Sequence, residues 1–399
     1  MPVAGIIAEY NPFHNGHAWH IARVRARLPG AAVVCVMSGQ ITQRGELAIC
    51  RKQARAAMAL SGGADLVLEL PAPYACAAAE RFARAGVFML AATGVVTHLC
   101  FGSETGRLEP LIHAARVLDS PSFLPAQEAG LQRGLSYPAA RHKALETLAP
   151  EAAGVLSNPN DILGVEYLRA LRHWRSDIIP LVSARKGVAH DTMVASGVFA
   201  SGSLIRARLL EGEAFSGFVP TETLALWRQE CSAGRAPVSL HACERAVLYA
   251  LRRMSADDFR ALPDVTEGLE HRLTRAAWAA VSLEDFYTRV KTRRYTHARI
   301  RRLALRAFLG LRDTQGQPPY LRVLAANETG LSLLREMKAK KSAALPILVK
   351  PASVKRMDKA ALSCFISEAQ VTDLYALCYP DSAQWAGGKE WSLGLQIDS

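Results

Sequence analysis

Residues 4–28 read AGIIAEYNPFHNGHAWHIARVRARL, and the reading of this stretch decides the fold. It opens as a short, continuous apolar run, as a strand buried on both faces requires. It closes, from Ala18 to Leu28, as an amphipathic pattern that reads as a helix. Between them stand His14, His17 and His20, three residues apart and directly after the strand. In open α/β sheets, ligands bind at the carboxyl ends of the strands. A helix that begins there presents free N–H groups and the positive end of its dipole, which together favour an anion. Pro12 sets the turn out of the strand, and Gly16 lets the backbone approach a ligand closely.

Imidazoles at i and i+3 share one face of a helical turn. His14 and His17 can therefore donate together to phosphate oxygens that gain charge as the phosphorus is attacked. A well-placed donor of that kind contributes roughly 3–4 kcal/mol. Two plainer readings stand beside this one: a zinc pair, for which two histidines with no nearby Glu, Asp or Cys partner are a poor template, and satisfied structural histidines.

Outward from this stretch the pattern repeats. After VAGIIAEY come four more short apolar runs: AAVVCVMSG (31–39), DLVLELP (65–71), THLCFGS (97–103) and DIIPLVSAR (177–185). Helical periodicity separates them at Arg51–Ser61, Ala77–Thr93, Leu108–Leu118 and Ile162–Arg172. This alternation predicts a doubly wound parallel sheet over residues 1–210. Past Arg208 strand candidates largely vanish, and residues 242–254 and 269–311 carry helical periodicity. Residues 211–399 are therefore expected to form a mainly helical domain, with a small mixed tail near LPILVK.

The chain of 399 residues is half hydrophobic and carries a net charge of +12, which raises the prospect of a polyanionic partner. Arg289–Arg306 holds eight Lys and Arg and no acid, with Tyr287 and Tyr295 close by. A run of one sign is expected to track a phosphate backbone, through Lys291, Arg293, Arg294, Arg299, Arg301 and Arg302. Eight cysteines without a C-x-x-C pair suit reduced, buried thiols. With no basic leader and no apolar run of ~18 residues, a soluble cytoplasmic protein is expected.

Other motifs follow the predicted strands or precede a predicted helix. Gly102 in FGSETG permits close approach of a purine or ribose, or is simply a turn glycine. Asn160 and Asp161 in SNPNDILG are good helix caps, and an Asn can also read an adenine edge or a ribose. Arg185 and Lys186 in SARK suit a triphosphate. Arg44, in the loop MSGQITQRGELAI with Ser38, Gly39 and Gln43, is a candidate partner for a small carboxylate.

HNGH resembles the H-x-G-H signature of the nucleotidyltransferase superfamily. The longer AEYNPFHNGH resembles the bacterial tRNA(Met) cytidine acetate ligase family. The likeness continues through VMSGQITQRGELAI, DLVLELP, FGSETG, GLSYPAAR, SNPNDILGVEYL, SARKGVAHD, KTRRYTHARIRRL and LPILVK, in the family's order.

This resemblance implies a Rossmann-like catalytic domain that uses ATP, with Mg2+ as an allowed companion, to activate acetate as acetyl-adenylate. The acetyl group would pass to N4 of the wobble cytidine of elongator tRNA(Met), with neither a membrane nor DNA as partner. It implies catalysis by His14 and His17. It implies ATP contacts from Ile7, Ala8, Glu9, Tyr10, Asn11, Pro12, Phe13, His14, Asn15, Gly16, His17, His20, Gly102, Asn160 and Arg185. FASGSLIRARL (199–209) departs from the tighter Ser/Thr-rich superfamily signature, and Ser201, Ser203 and Arg206 match it loosely. Two other classes compete: an adenylyltransferase acting on a small phosphorylated metabolite, which leaves the basic helices unexplained, and a non-catalytic RNA-binding protein, which leaves EYNPFHNGH unexplained.

Overall fold

The structure is a computed structural model that describes residues 1–185, 194–266, 268–312 and 316–397. The five expected strands form as β1 (Val3–Ala8), β2 (Ala32–Ser38), β3 (Leu66–Leu70), β4 (His98–Ser103) and β5 (Ile179–Ala184). They pair in parallel in the order β5-β4-β1-β2-β3. Alternation along each strand divides the core between the two faces of the sheet. Ile7, Val36 and Leu68 join the cluster that holds helices Ala79–Ala92 and Pro159–His173. Ile6, Cys35 and Val67 join the cluster under helices α1 (Asn15–Arg27) and α2 (Lys52–Ser61).

The chain's second half is mainly helical, as read past Arg208, and its mixed part includes LPILVK but begins earlier, at Leu321. β6 (Leu321–Ala326) pairs antiparallel with β3 and carries β7 (Ile347–Leu348) and β8 (Gln396–Ile397) on its other edge. Position 210 therefore does not mark an edge of the sheet. The LRVLAA run of β6 sits between polar loops and is short enough to pass unnoticed, while the exposed edge of β3 demands a partner. The core under helix Ala79–Ala92 also runs on through Leu303, Val371 and Tyr375.

A buried ion cluster fastens this junction. Lys52 in α2 is fully buried and pairs with Glu69 of β3 at 2.5 Å and Glu390 at 2.7 Å. Arg322 of β6 pairs with both carboxylates. The Lys52 and Arg322 charges hold Glu390 down at about 2 against the opposing effect of burial.

Strand order reverses between β1 and β4, and the crevice at their carboxyl ends is where an open sheet takes its ligand.

Candidate active site

A cavity of about 770 Å3 opens at this crevice, floored by Ile6, Ile7 and Ala8 of β1 and by Cys100, Phe101 and Gly102 of β4. The chain leaves β1 through Tyr10, whose φ of +47° lies in the left-handed region, and a cis Asn11–Pro12 peptide. A non-glycine residue there costs about 1–3 kcal/mol and must be held by its surroundings. Tyr10 is buried with its hydroxyl 3.3 Å from Cys35 Sγ, and Asn11 Oδ1 accepts the Ile49 N–H at 2.7 Å. Phe13 is fully buried against Gly62, where a Cβ would lie 2.2 Å from its ring. Arg55, fully buried in α2, donates to the carbonyls of Glu9, Ser38 and Gly39 and so ties the ends of β1 and β2 together. Nothing in RKQARAAM distinguishes this arginine from an exposed one.

His14 is the N-cap of α1, which starts three residues earlier than the sequence pattern suggested. Its Nδ1 accepts the Gly16 N–H at 3.1 Å, and the Nδ1 of His17 accepts the His14 N–H at 3.2 Å. The two rings stack with centroids 3.7 Å apart at 26°. With both Nδ1 atoms accepting, the proton of each neutral ring sits on Nε2, so each imidazole is a donor there. A second helix, Gly202–Glu211, begins against the same spot: a Cβ on Gly202 would lie 4.0 Å from His14 Nε2. Arg206, one turn into that helix, lines the cavity and donates to the Asn11 carbonyl at 3.1 Å. Two helix N-termini, two imidazole donors and one guanidinium thus converge, as a polyphosphate requires.

Gly102, Asn160 and Arg185 also line the cavity. Arg185 donates to Asn160 Oδ1 at 3.2 Å, and Glu104 accepts from Asn160. The cap of helix Pro159–His173 is Asn158 rather than Asn160 or Asp161. Asp161 is fully buried and accepts from Ser103 and Thr105 beneath the Gly102 turn. His20 lines it too, and burial pushes its imidazole down to about 4, so it is neutral at ordinary pH. Lys186 lies outside the described residues.

Glu9 and Arg44 also line the cavity. Three residues of the β1 exit do not. Pro12 and Phe13 are buried in the turn, and Asn15 donates instead to the carbonyls of Val198 and Gly217. Ser201 caps the second helix by accepting the Leu204 N–H, and Ser203 Oγ lies 3.3 Å from Arg206. Among the described residues no three His, Cys, Asp or Glu side chains converge as metal ligands.

The basic run is divided by the fold. Arg302 and Arg306 turn inward, at 8% and 2% exposure. Arg306 donates to the carbonyls of Cys76 and Pro73, and Arg302 pairs with Asp264. Arg301 pairs with Glu46 at 2.9 Å, Arg289 with Asp285, and Arg299 lies over the Tyr295 ring. Lys291 donates to the Tyr295 carbonyl, while Arg293 and Arg294 are exposed. Asp285 lies just ahead of the run, but Glu46 and Asp264 stand elsewhere in the chain, where a local charge count cannot find them. Helix His297–Leu309 nevertheless brings Thr296, Ala298 and Arg302 to the cavity wall.

Trp19, Tyr137, Arg141 and Tyr167 line the cavity as well and were not singled out from sequence. Asn160, Leu163 and Tyr167 lie at i, i+3 and i+7 of one helix, so periodicity around Asn160 pointed to Tyr167.

A parallel sheet with a histidine-capped helix at its switch point defines a nucleotidyltransferase of the H-x-G-H class. The model of the HIGH Nucleotidyl Transferase family matches residues 1–390. A protein of Acetivibrio thermocellus named tRNA(Met) cytidine acetate ligase is 37% identical over the whole of both chains. One of the same name from Syntrophomonas wolfei is 35% identical over 98% of each. The apo crystal structure of Thermotoga maritima TmcAL superposes with a TM-score of 0.94 at 33% identity, covering both chains fully. Its form bound with alpha-thio ATP gives 0.92 at the same identity and coverage. The chain belongs to the HIGH nucleotidyltransferases and, within them, to the tRNA(Met) cytidine acetate ligase family.

Proposed function

We propose that this protein is an ATP-dependent ligase that activates acetate as acetyl-adenylate and acetylates N4 of the wobble cytidine of elongator tRNA(Met). One observation carries the reading: a single cavity joins the histidine-capped α1 terminus to the start of the basic helix His297–Leu309. An adenylate and an RNA base can therefore meet there without leaving the protein.

ATP lies across the switch point, with its base and ribose toward Gly102, Asn160 and Arg185 and its phosphates toward His14, Gly16 and His17. An acetate oxygen attacks the α-phosphorus and pyrophosphate leaves. His14 and His17 donate from Nε2 to oxygens whose charge grows in the transition state. Arg206 and the two helix N-termini hold the departing pyrophosphate. The cytidine amine then attacks the acetyl carbon and AMP leaves. That amine is a weak nucleophile because its lone pair is delocalised into the ring, so the acyl group must be activated first. The target base has to leave its stack to enter the cavity. A tRNA substrate supports a cytoplasmic location, and no helix among the described residues is long and apolar enough to cross a membrane.

The test is incubation with ATP, labelled acetate and bulk tRNA, followed by nucleoside analysis. Label in N4-acetylcytidine is expected. Pyrophosphate release that ignores acetate would favour an adenylyltransferase of small metabolites, and binding of tRNA with no pyrophosphate release would favour a non-catalytic RNA-binding protein.

A further inference from the structure

The cavity has two unlike sides. The histidines stand on the α1 face of the sheet. On the opposite face, Ile7, Phe82, Phe101 and Leu163 form an apolar slot with two polar groups in it, Glu9 and Tyr167. Tyr167 is only 3% exposed, and its ring meets Phe101 edge to face at 5.7 Å. No described residue hydrogen-bonds its hydroxyl. The hydroxyl is left to donate into the cavity that Tyr167 lines, where a ligand acceptor can meet it.

Glu9 is held differently. Its Oε1 accepts the Gln43 N–H at 2.7 Å, and no described residue donates to its other oxygen. Arg55 of α2 holds the Glu9 carbonyl rather than the carboxylate. Burial raises the Glu9 pKa, which the Gln43 N–H, Arg206 and Arg44 oppose and Glu46 reinforces. Glu9 and Tyr167 line the same cavity, and the Glu9 charge adds to the rise that burial causes at the Tyr167 phenol.

A carboxylate acceptor beside a phenolic donor, between apolar walls, is the complement of a neutral aminopyrimidine edge. Cytosine offers an N4 amine to the acceptor and an N3 or O2 acceptor to the donor. Acetate fits this slot poorly, because Glu9 would set one carboxylate against another. We propose that Glu9 and Tyr167 form the slot that receives the flipped target cytosine, with Glu9 as the general base of acetyl transfer. This rests on the ligase reading above.

The step balances. The N4 lone pair attacks the acetyl carbon and a C–N bond forms. The bond from that carbon to the adenylate oxygen breaks, and AMP leaves with the electron pair. The proton lost from N4 passes to the Glu9 carboxylate and on to water. Tyr167 donates to N3 or O2 and orients the ring; uracil is rejected because its O4 would face the Glu9 carboxylate in place of the N4 amine.

The test uses the full-length protein and separates the two half-reactions. Acetate-dependent ATP–pyrophosphate exchange without tRNA reports adenylate formation. Single-turnover transfer to tRNA(Met) from preformed acetyl-adenylate reports the second step. Glu9→Gln is expected to slow transfer at least about 100-fold more than exchange, the range a general base contributes. Tyr167→Phe is expected to raise the half-saturating tRNA concentration about 10-fold, as loss of one buried hydrogen bond does, and to move the half-saturating acetate concentration less.

Equal slowing of both steps by Glu9→Gln overturns the base assignment. An effect of Tyr167→Phe on acetate rather than on tRNA overturns the cytosine slot and makes it the acyl pocket. Should Glu9→Gln not fold, Tyr167→Phe decides alone. Absence of acetate-dependent exchange in the unmodified protein defeats the ligase reading itself and is seen before either variant is made.

Discussion

The imidazoles of His14 and His17 stack at 3.7 Å, and each commits its Nδ1 to a backbone N–H of the same helical turn. One pair of side chains therefore caps α1 and presents two Nε2 donors to the cavity.

Capping and catalysis can be separated at this pair. Asn is as good an N-cap as any residue, but His14→Asn places no donor where Nε2 stood. Acetate-dependent ATP–pyrophosphate exchange is expected to fall about 100- to 1000-fold while the melting temperature moves little. His17→Ala should lose exchange to a similar degree. Exchange that survives both changes would leave the histidines with the capping role alone.

His20 makes stability depend on pH. Its pKa is held near 4 in the folded chain against an ordinary value of 6.5. Between those values the unfolded chain binds a proton that the folded chain does not, so stability falls as pH drops from about 6.5 to about 4. Urea midpoints at pH 7 and pH 5 should differ less in His20→Gln than in the unmodified protein. An identical difference in the two would remove His20 as a source of the slope.

Gly62 sets the depth of the loop that carries the histidines. Its φ of −85° suits any residue, but a Cβ would lie 2.2 Å from the Phe13 ring. Gly62→Ala must push Phe13 outward, at a cost of about 1–3 kcal/mol from overpacking. Denaturation midpoints should show that loss. ATP affinity should fall with it, because Phe13 anchors the turn into α1.

The basic segment should split into two classes of variant. Arg293→Ala and Arg294→Ala, at exposed positions, should each weaken tRNA binding modestly and lower the slope of log affinity against log salt by up to about one. Arg306→Ala leaves the Cys76 and Pro73 carbonyls without their donor and should cost stability by several kcal/mol instead. Titrations at several salt concentrations beside urea curves distinguish the classes. A salt slope unaltered by Arg293→Ala and Arg294→Ala together would make those positions a solvated face.

A fragment ending at residue 210 should not fold. It leaves the edge of β3 open and strips Lys52 and Glu69 of Glu390 and Arg322. Removing partners from buried charges costs about 3–5 kcal/mol, a large share of a domain's stability. Far-UV dichroism and a cooperative melt from the fragment would contradict this. Lys52→Met in the full chain tests the same cluster and is expected to lower the urea midpoint strongly.

The half of the fold that formed as read is the half written in local patterns. β1 to β5 are continuous apolar runs, and the helices between them repeat at 3.6 residues. Both signals come from neighbours in the chain facing a common core. The histidine cluster was legible for the same reason, since strand, cap and first turn lie within fifteen residues. Gly102, Arg185 and Arg44 reached the cavity because each ends or follows a strand, where the fold class puts its ligand, whereas Asn160 opens a helix and was marked by the family resemblance.

What the sequence determined by itself was the parallel five-stranded half, its switch point and the anion-binding helix start, all set by periodicity and caps over a few residues. Only the tertiary structure decided that β6 would close the edge of β3, that Arg302 and Arg306 would be buried while Arg293 stays exposed, and that Glu9 and Tyr167 would face one slot. The physical reason is separation. Lys52 meets Glu390 across 338 residues and Arg306 meets Pro73 across 233, and the burial that gives such pairs their strength exists only once the chain has packed.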